Sequence, residues 1–125
     1  MTTDERTTVG MLRKAVARFV DAREWRPFHS PKNLAMSIAI EAAELMERFQ
    51  WLTNEQAWAA APGDDGVAEE LADVLIYCLS LSNALDLDVS SAVMAKLEVN
   101  EGRYPASEFR GRFRRPERDK ANNDA

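Results

Sequence analysis

One cysteine and one histidine among 125 residues leave little room for the chemistry those side chains do best. With Cys78 alone, the chain can form neither an internal disulfide framework nor a thiolate metal cage. Cys78 lies inside the apolar run from Leu71 to Leu85 and is expected to be a buried core thiol. A ferritin-like di-iron centre requires two Glu-x-x-His motifs, and His29, the one histidine, belongs to none. The chain shows no charged-then-apolar leader and no uninterrupted apolar run of the roughly 18 residues a membrane span requires. A soluble, cytoplasmic protein with no membrane partner is the expectation.

Basic charge is scarce where the chain is richest in helical pattern. Through Pro105 there are 10 basic and 17 acidic residues, a net of -7, whereas Ala106 to Ala125 holds 6 basic and 4 acidic. Duplex-binding proteins carry a basic stripe that neutralises phosphates, and residues 1–105 have none, so no nucleic-acid polymer is expected as partner. A compact phosphate-bearing ligand that brings a cation with it fits this charge balance. The division reads as one domain over residues 1–105 and a flexible charged tail over 106–125.

Glycine is sparse as well, at 5, and long segments with apolar residues at three-to-four spacing predict an all-α chain. The first of four helices runs from about Thr7 to Arg23, with Leu12, Ala15, Val16, Phe19 and Val20 on one face, and stops before Trp25-Arg26-Pro27. A second starts at Ser30-Pro31, a serine cap followed by proline, and continues to about Gln50. The third follows Ala61 to Gly66 and reaches about Ala84, with a short helix over Asn54 to Ala60 ahead of it. Asp88 opens the fourth, which ends near Gly102 because Pro105 bars continuation. From Ala106 onward no structure is predicted. The stretch Leu71 to Leu81 is apolar nearly all round, so a second copy of the chain is expected to cover what its own helices cannot.

Two acidic pairs at three-residue spacing interrupt this apolar pattern: Glu41-Ala42-Ala43-Glu44 and Glu70-Leu71-Ala72-Asp73. At 100° per residue Glu41 falls among Leu34, Ile38 and Leu45, and Glu70 among Val67, Val74, Tyr77 and Leu81. Solubility acids belong opposite the apolar sector, and these two do not. Carboxylates on apolar faces need a partner, a proton or a metal, since a buried uncompensated charge costs several kcal/mol. Four hard oxygen donors suit Mg²⁺, with Mn²⁺ next. Glu47 continues the same spacing but points about 120° from Glu41, which predicts an outer role.

These residues stand in an order that resembles a known family. Trp25-Arg26-Pro27-Phe28-His29-Ser30-Pro31-Lys32-Asn33-Leu34, the Glu41 to Leu45 block, Phe49-Gln50-Trp51, Glu69 to Val74, and Lys96 to Pro105 look like the MazG-like nucleotide pyrophosphohydrolases, on the side of their small dCTP pyrophosphatase branch. The resemblance implies a four-helix bundle completed by oligomerisation, a tetramer built as a dimer of dimers, and Mg²⁺ held by Glu41, Glu44, Glu70 and Asp73. It puts substrate contacts on Trp25, Trp51, Lys96, Asn100 and Tyr104. Spacing by four places the last three within about 80° of one another on a helix, able to offer a cation, an amide and a phenol to one ligand. His29, beside a proline turn, reads as structural or phosphate-contacting rather than as a general base.

The reaction implied is hydrolysis of a nucleoside triphosphate, dCTP or a modified dCTP, to monophosphate and pyrophosphate by attack at the α-phosphorus, with Glu44 orienting the water. Two other readings stand beside it. One is a non-catalytic helical oligomerisation module. The other is an all-α, dUTPase-like phosphohydrolase with the same metal logic and a different base.

Overall fold

The structure, a computed structural model, describes residues 1–113. Among these there are helices and helical turns but no strand, as the all-α expectation requires. The chain divides into two compact units, the first Met1–Val89 and the second beginning at Ser90.

In the first unit α1 spans Val9–Ala22, capped by Thr8, whose hydroxyl accepts from the Met11 amide at 3.1 Å. Its end differs from the sequence expectation in cause. Glu24 takes a left-handed backbone (φ 53°), the Glu24 amide donates to the Asp21 carbonyl and the Trp25 amide donates back to Val20 at 3.1 Å. That pair of bonds is a Schellman termination, in which glycine usually stands at the left-handed position. Pro27 therefore does not stop α1. It sits within a separate 3₁₀ turn, Arg26–Phe28, held back onto α1 by a two-pronged Arg26–Asp21 ion pair.

Helix α2, Pro31–Glu47, starts as its sequence predicts, with Ser30 accepting from the Asn33 amide at 3.2 Å and Pro31 at the first helical position. It ends at Glu47, three residues before the expected Gln50, with Arg48 as its C-cap, and residues 48–52 turn toward the short α3, Asn54–Ala60. Thr53 and Gln56 close a reciprocal capping box on α3. Helix α4, Asp65–Ala84, begins ahead of Gly66 rather than after it, because Asp64 caps it through the Gly66 amide at 2.9 Å. It closes as α1 does, with Asp86 left-handed (φ 49°) and Leu87 donating to the Ser82 carbonyl.

Helix α4 is the element against which both α2 and α1 pack. Leu34 of α2 and Val20 of α1 are the buried apolar side chains among the described residues. The predicted face of α1 is only partly covered, since Leu12 and Phe19 are exposed while Val16 is half-buried. A polar lock joins α1 to the end of α4. Arg13 Nε donates to Asn83 Oδ1 at 3.1 Å, and Asn83 Nδ2 donates to the Arg13 carbonyl at 3.0 Å. Leu71, Leu75 and Ile76 leave a strip of α4 open, at 48, 53 and 41% exposure. Cys78, expected in the core, is half-buried: the same open flank lets solvent reach this stretch of α4.

The second unit holds α5, Val89–Arg103, close to its expected bounds, and α6, Ala106–Phe109. The sequence reading left these last residues without structure. Phe109 packs edge-on against Tyr104 with ring centres 5.2 Å apart, and this contact gives the short helix an apolar anchor. No helix of the described residues is long and apolar enough to cross a membrane. Residues 114–125, the greater part of the tail expected to be flexible, lie outside the described residues.

Candidate metal centre

Three of the four acids singled out by spacing converge. Glu41 and Glu44 come from α2 and Glu70 from α4, each offering a carboxylate oxygen within 4.8 Å of the others. The three-residue step along α2 puts Glu41 and Glu44 on one face, and the α2–α4 packing sets Glu70 opposite. Glu41 and Glu70 are half-buried and Glu44 is exposed, so the cluster opens to solvent on the Glu44 side. Asp73, half-buried one turn beyond Glu70, is outside this trio but close enough for its charge to act on both Glu41 and Glu70.

The electrostatics are those of a site short of positive charge. Burial pushes the Glu41 carboxyl above the ordinary carboxylate range, and Glu44, Asp73 and Glu70 push it further. Burial also raises Glu70, with Glu44 and Asp73 adding to the effect and Arg48 opposing it. One oxygen of each, Oε2, is sealed from solvent without a hydrogen-bond partner. Such atoms are costly unless a cation or proton answers them. An all-oxygen donor set of this charge fits a hard divalent ion.

Arg48 is the cation the sequence reading missed. No basic residue lies within a turn of Glu70 on its own helix, but Arg48, at the end of α2, donates to Asp64 Oδ1 at 2.6 Å across to the start of α4. Its guanidinium lies where a side chain at position 66 would be, since a Cβ on Gly66 would come 1.5 Å from Arg48 Nη2. The signal for this contact was the Asp64-Asp65-Gly66 turn together with the absence of a side chain at Gly66.

The remaining sequence candidates are placed unevenly. Trp25 meets Phe19 edge-on at 5.7 Å and His29 at 6.2 Å, and His29 in turn stands 6.4 Å from Tyr77 of α4. Trp25 and His29 are thereby brought together, and Tyr77, which spacing had marked only as a neighbour of Glu70, joins the row. Trp51 stands apart from this row in its contacts, at 86% exposure in the turn after α2. Lys96 and Asn100 lie on α5, with Tyr104 directly after it donating its amide to the Asn100 carbonyl at 2.7 Å. Glu47, the last residue of α2, is exposed and not among the converging acids.

An all-α chain with paired acids meeting between two packed helices is a MazG-like arrangement, and the chain belongs to the MazG-like family, whose model matches residues 36–113. It is similar to dCTP pyrophosphatase 1 of Bos taurus, 37% identical over 108 residues that make up 83% of this chain and 63% of the relative. The Homo sapiens dCTP pyrophosphatase 1 is 37% identical over 107 residues, 79% of this chain and 60% of its own length. The chain thus spans about three fifths of the length of these curated relatives. A crystal structure of a pyrophosphatase from Archaeoglobus fulgidus superposes with a TM-score of 0.74 at 38% identity, over 84% of this chain and 99% of that one.

Proposed function

We propose that this protein is a Mg²⁺-dependent nucleoside triphosphate pyrophosphohydrolase that converts dCTP or a modified dCTP to its monophosphate and pyrophosphate. The observation that carries this reading is the pair of sealed, unpartnered oxygens on Glu41 and Glu70 within a three-carboxylate cluster. The names of the relatives, dCTP pyrophosphatase 1 and a pyrophosphatase, supply the reaction class and the base.

In this reading Glu41, Glu44, Glu70 and Asp73 hold the metal, with Mn²⁺ as an alternative ion. Bound there, the ion would supply positive charge that offsets the triphosphate and would lower the pKa of the attacking water. Glu44, the exposed member of the cluster, orients the attacking water. The water's oxygen bonds to the α-phosphorus as one of its protons passes to Glu44, the bond from that phosphorus to the α–β bridging oxygen breaks, and pyrophosphate leaves. Lys96, Asn100, Tyr104 and His29 serve the phosphate and sugar, and Trp25 and Trp51 the base. The open strip of Leu71, Leu75 and Ile76 on α4 is covered by a second copy, the twofold contact from which a dimer-of-dimers tetramer is built.

Release of pyrophosphate measured over canonical and 5-substituted NTPs and dNTPs, with and without Mg²⁺, tests the reading. Metal-dependent release that is fastest for a deoxycytidine triphosphate is the expected result. Release of orthophosphate instead, or turnover unaffected by chelation, overturns it.

A further inference from the structure

The end of α2 and the start of α4 are joined by one ion pair, the one between these two helices among the described residues. Arg48 Nη2 donates to Asp64 Oδ1 at 2.6 Å. The same Asp64 oxygen accepts from the Gly66 amide at 2.9 Å, so the residue that caps α4 is also the anchor for Arg48. The guanidinium lies across Gly66. A Cβ there would come 1.5 Å from Nη2, 2.2 Å from Cζ and 2.7 Å from Nε of Arg48, closer than such atoms can approach. Gly66 takes no left-handed backbone, and glycine within a helix is otherwise a loss. The space left for Arg48 is what glycine supplies here.

The register of the two helices sets what this pair can do. They run antiparallel, with Arg48 one turn beyond Glu44 and Gly66 one turn ahead of Glu70, so the guanidinium over Gly66 is the next rung outward from the Glu44–Glu70 approach. The two rungs act in opposite senses. Glu44 and Glu70 repel each other, while Arg48 and Asp64 attract. Glu44 is exposed, so packing does little to hold its carboxylate at a fixed distance from Glu70. The ion pair is itself open to water, with side-chain exposures of 39% for Arg48 and 33% for Asp64, and a pair that open adds little to global stability. Its effect is local, on the spacing of α2 and α4 one turn from the acids.

We infer that Arg48 is a positioning residue of the metal centre, a brace anchored on Asp64 and seated over Gly66 that holds Glu44 of α2 and Glu70 of α4 at the separation a divalent cation requires. The inference rests on the metal-binding part of the proposed function and adds to it residues that touch neither the cation nor the substrate. Two effects of Arg48 oppose each other and so can be told apart. Its positive charge reaches Glu70 and works against a cation at the acids, whereas its position works for one. Pairing with Asp64 offsets much of that charge at the distance of the acids, so position prevails.

Mn²⁺ binding by the nucleotide-free protein, followed by electron paramagnetic resonance of the free ion, tests this on three variants, with circular dichroism checking that each folds. Arg48→Met removes both the brace and its charge. Asp64→Ser keeps a cap for α4 with a side chain too short to reach Arg48. Gly66→Ala leaves both charges in place and displaces the guanidinium, and because it favours the helix it keeps the test open should either of the others fail to fold. The Mn²⁺ dissociation constant should rise about 10-fold in all three, the low end of what loss of an outer partner gives, and Arg48→Lys should recover part of the loss. The Mg²⁺ concentration for half-maximal pyrophosphate release should rise in step, while kcat at saturating Mg²⁺ stays near that of the wild type. Tighter Mn²⁺ binding in Arg48→Met beside weaker binding in Asp64→Ser would reduce the effect to charge alone and overturn the inference, as would wild-type affinity in any folded variant of the three. Weakened Mn²⁺ binding in the variants of a protein that releases no pyrophosphate from any triphosphate overturns the hydrolytic reading and leaves the brace standing. A wild type that binds no Mn²⁺ overturns the metal centre and the brace together.

Discussion

Glu41 on α2 and Glu70 on α4 each bring a carboxylate oxygen to within 4.8 Å of the other, and each hides its Oε2 atom from solvent without a partner. Two like charges so placed oppose the packing of the helices that carry them. The site therefore works against the stability of the metal-free fold, and the following expectations turn on that conflict.

Stability of the metal-free protein should rise as pH falls from neutral toward the ordinary carboxylate range. Glu41 and Glu70 have folded pKa values above the usual 4.5, so between 4.5 and the raised values the folded state binds more protons than the unfolded one. Stability falls with rising pH wherever that holds, so what the protonated acids contribute is complete below 4.5 and lost as pH climbs through the raised values. Asp21 and Asp64, lowered chiefly by Arg26 and Arg48, act in the opposite sense but below 3.8, outside this window. Thermal midpoints in chelator from pH 8 to pH 5 check this. A flat profile, or a midpoint that drops on acidification through this window, contradicts it.

Glu47→Gln should keep measurable turnover that added Mg²⁺ partly restores. Glu47 is exposed at the end of α2, outside the converging trio, and loss of an outer partner typically costs about 10- to 100-fold in metal affinity or activity. Initial rates against Mg²⁺ concentration read the outcome. A variant dead at saturating Mg²⁺ would mean that Glu47 is itself a ligand.

Glu24→Gly should stabilise the fold. A left-handed backbone costs a non-glycine residue about 1–2 kcal/mol, and the entropy of glycine in the unfolded chain takes back about 0.5–1 kcal/mol of the relief. The net gain is up to roughly 1.5 kcal/mol, read as a higher thermal midpoint with unchanged helical circular dichroism. A lower midpoint would mean that Glu24 makes contacts worth more than its strain.

Leu75→Glu should reduce the oligomeric state, because it places a charge in the open strip of α4 that a second copy is proposed to cover. Analytical ultracentrifugation of the wild type and the variant checks this. A wild type that is monomeric at micromolar concentration, or a variant that associates as the wild type does, removes the proposed interface.

Much of this was legible in the sequence, and the boundary between what was and was not is physical. Ser30-Pro31 is a local signal acting on neighbouring amides, so α2 began where its cap said, and Glu41, Glu44 and Glu70 could be ranked by wheel angle because a helix repeats. What escaped depended on residues far apart in the chain. Arg48 reaches Asp64 16 positions away, Arg13 reaches Asn83 70 positions away, and neither pairing has a periodic signature. Glu24 and Asp86 in left-handed turns defied the expectation of glycine. Trp51, in contrast, was easy to see as a motif residue but its exposure on the single chain was not.

The central claim is that converging acids, costly to the fold, are there to hold a metal for pyrophosphate release. The rate of pyrophosphate release from dCTP by Glu41→Gln at saturating Mg²⁺, set beside its metal-free thermal midpoint, tests this most directly. The account predicts turnover abolished, helical circular dichroism retained, and a midpoint equal to or above that of the wild type, because one of the repelling charges is gone. Wild-type turnover, or a midpoint well below that of the wild type in chelator, would contradict it and make Glu41 a structural acid with a partner of its own.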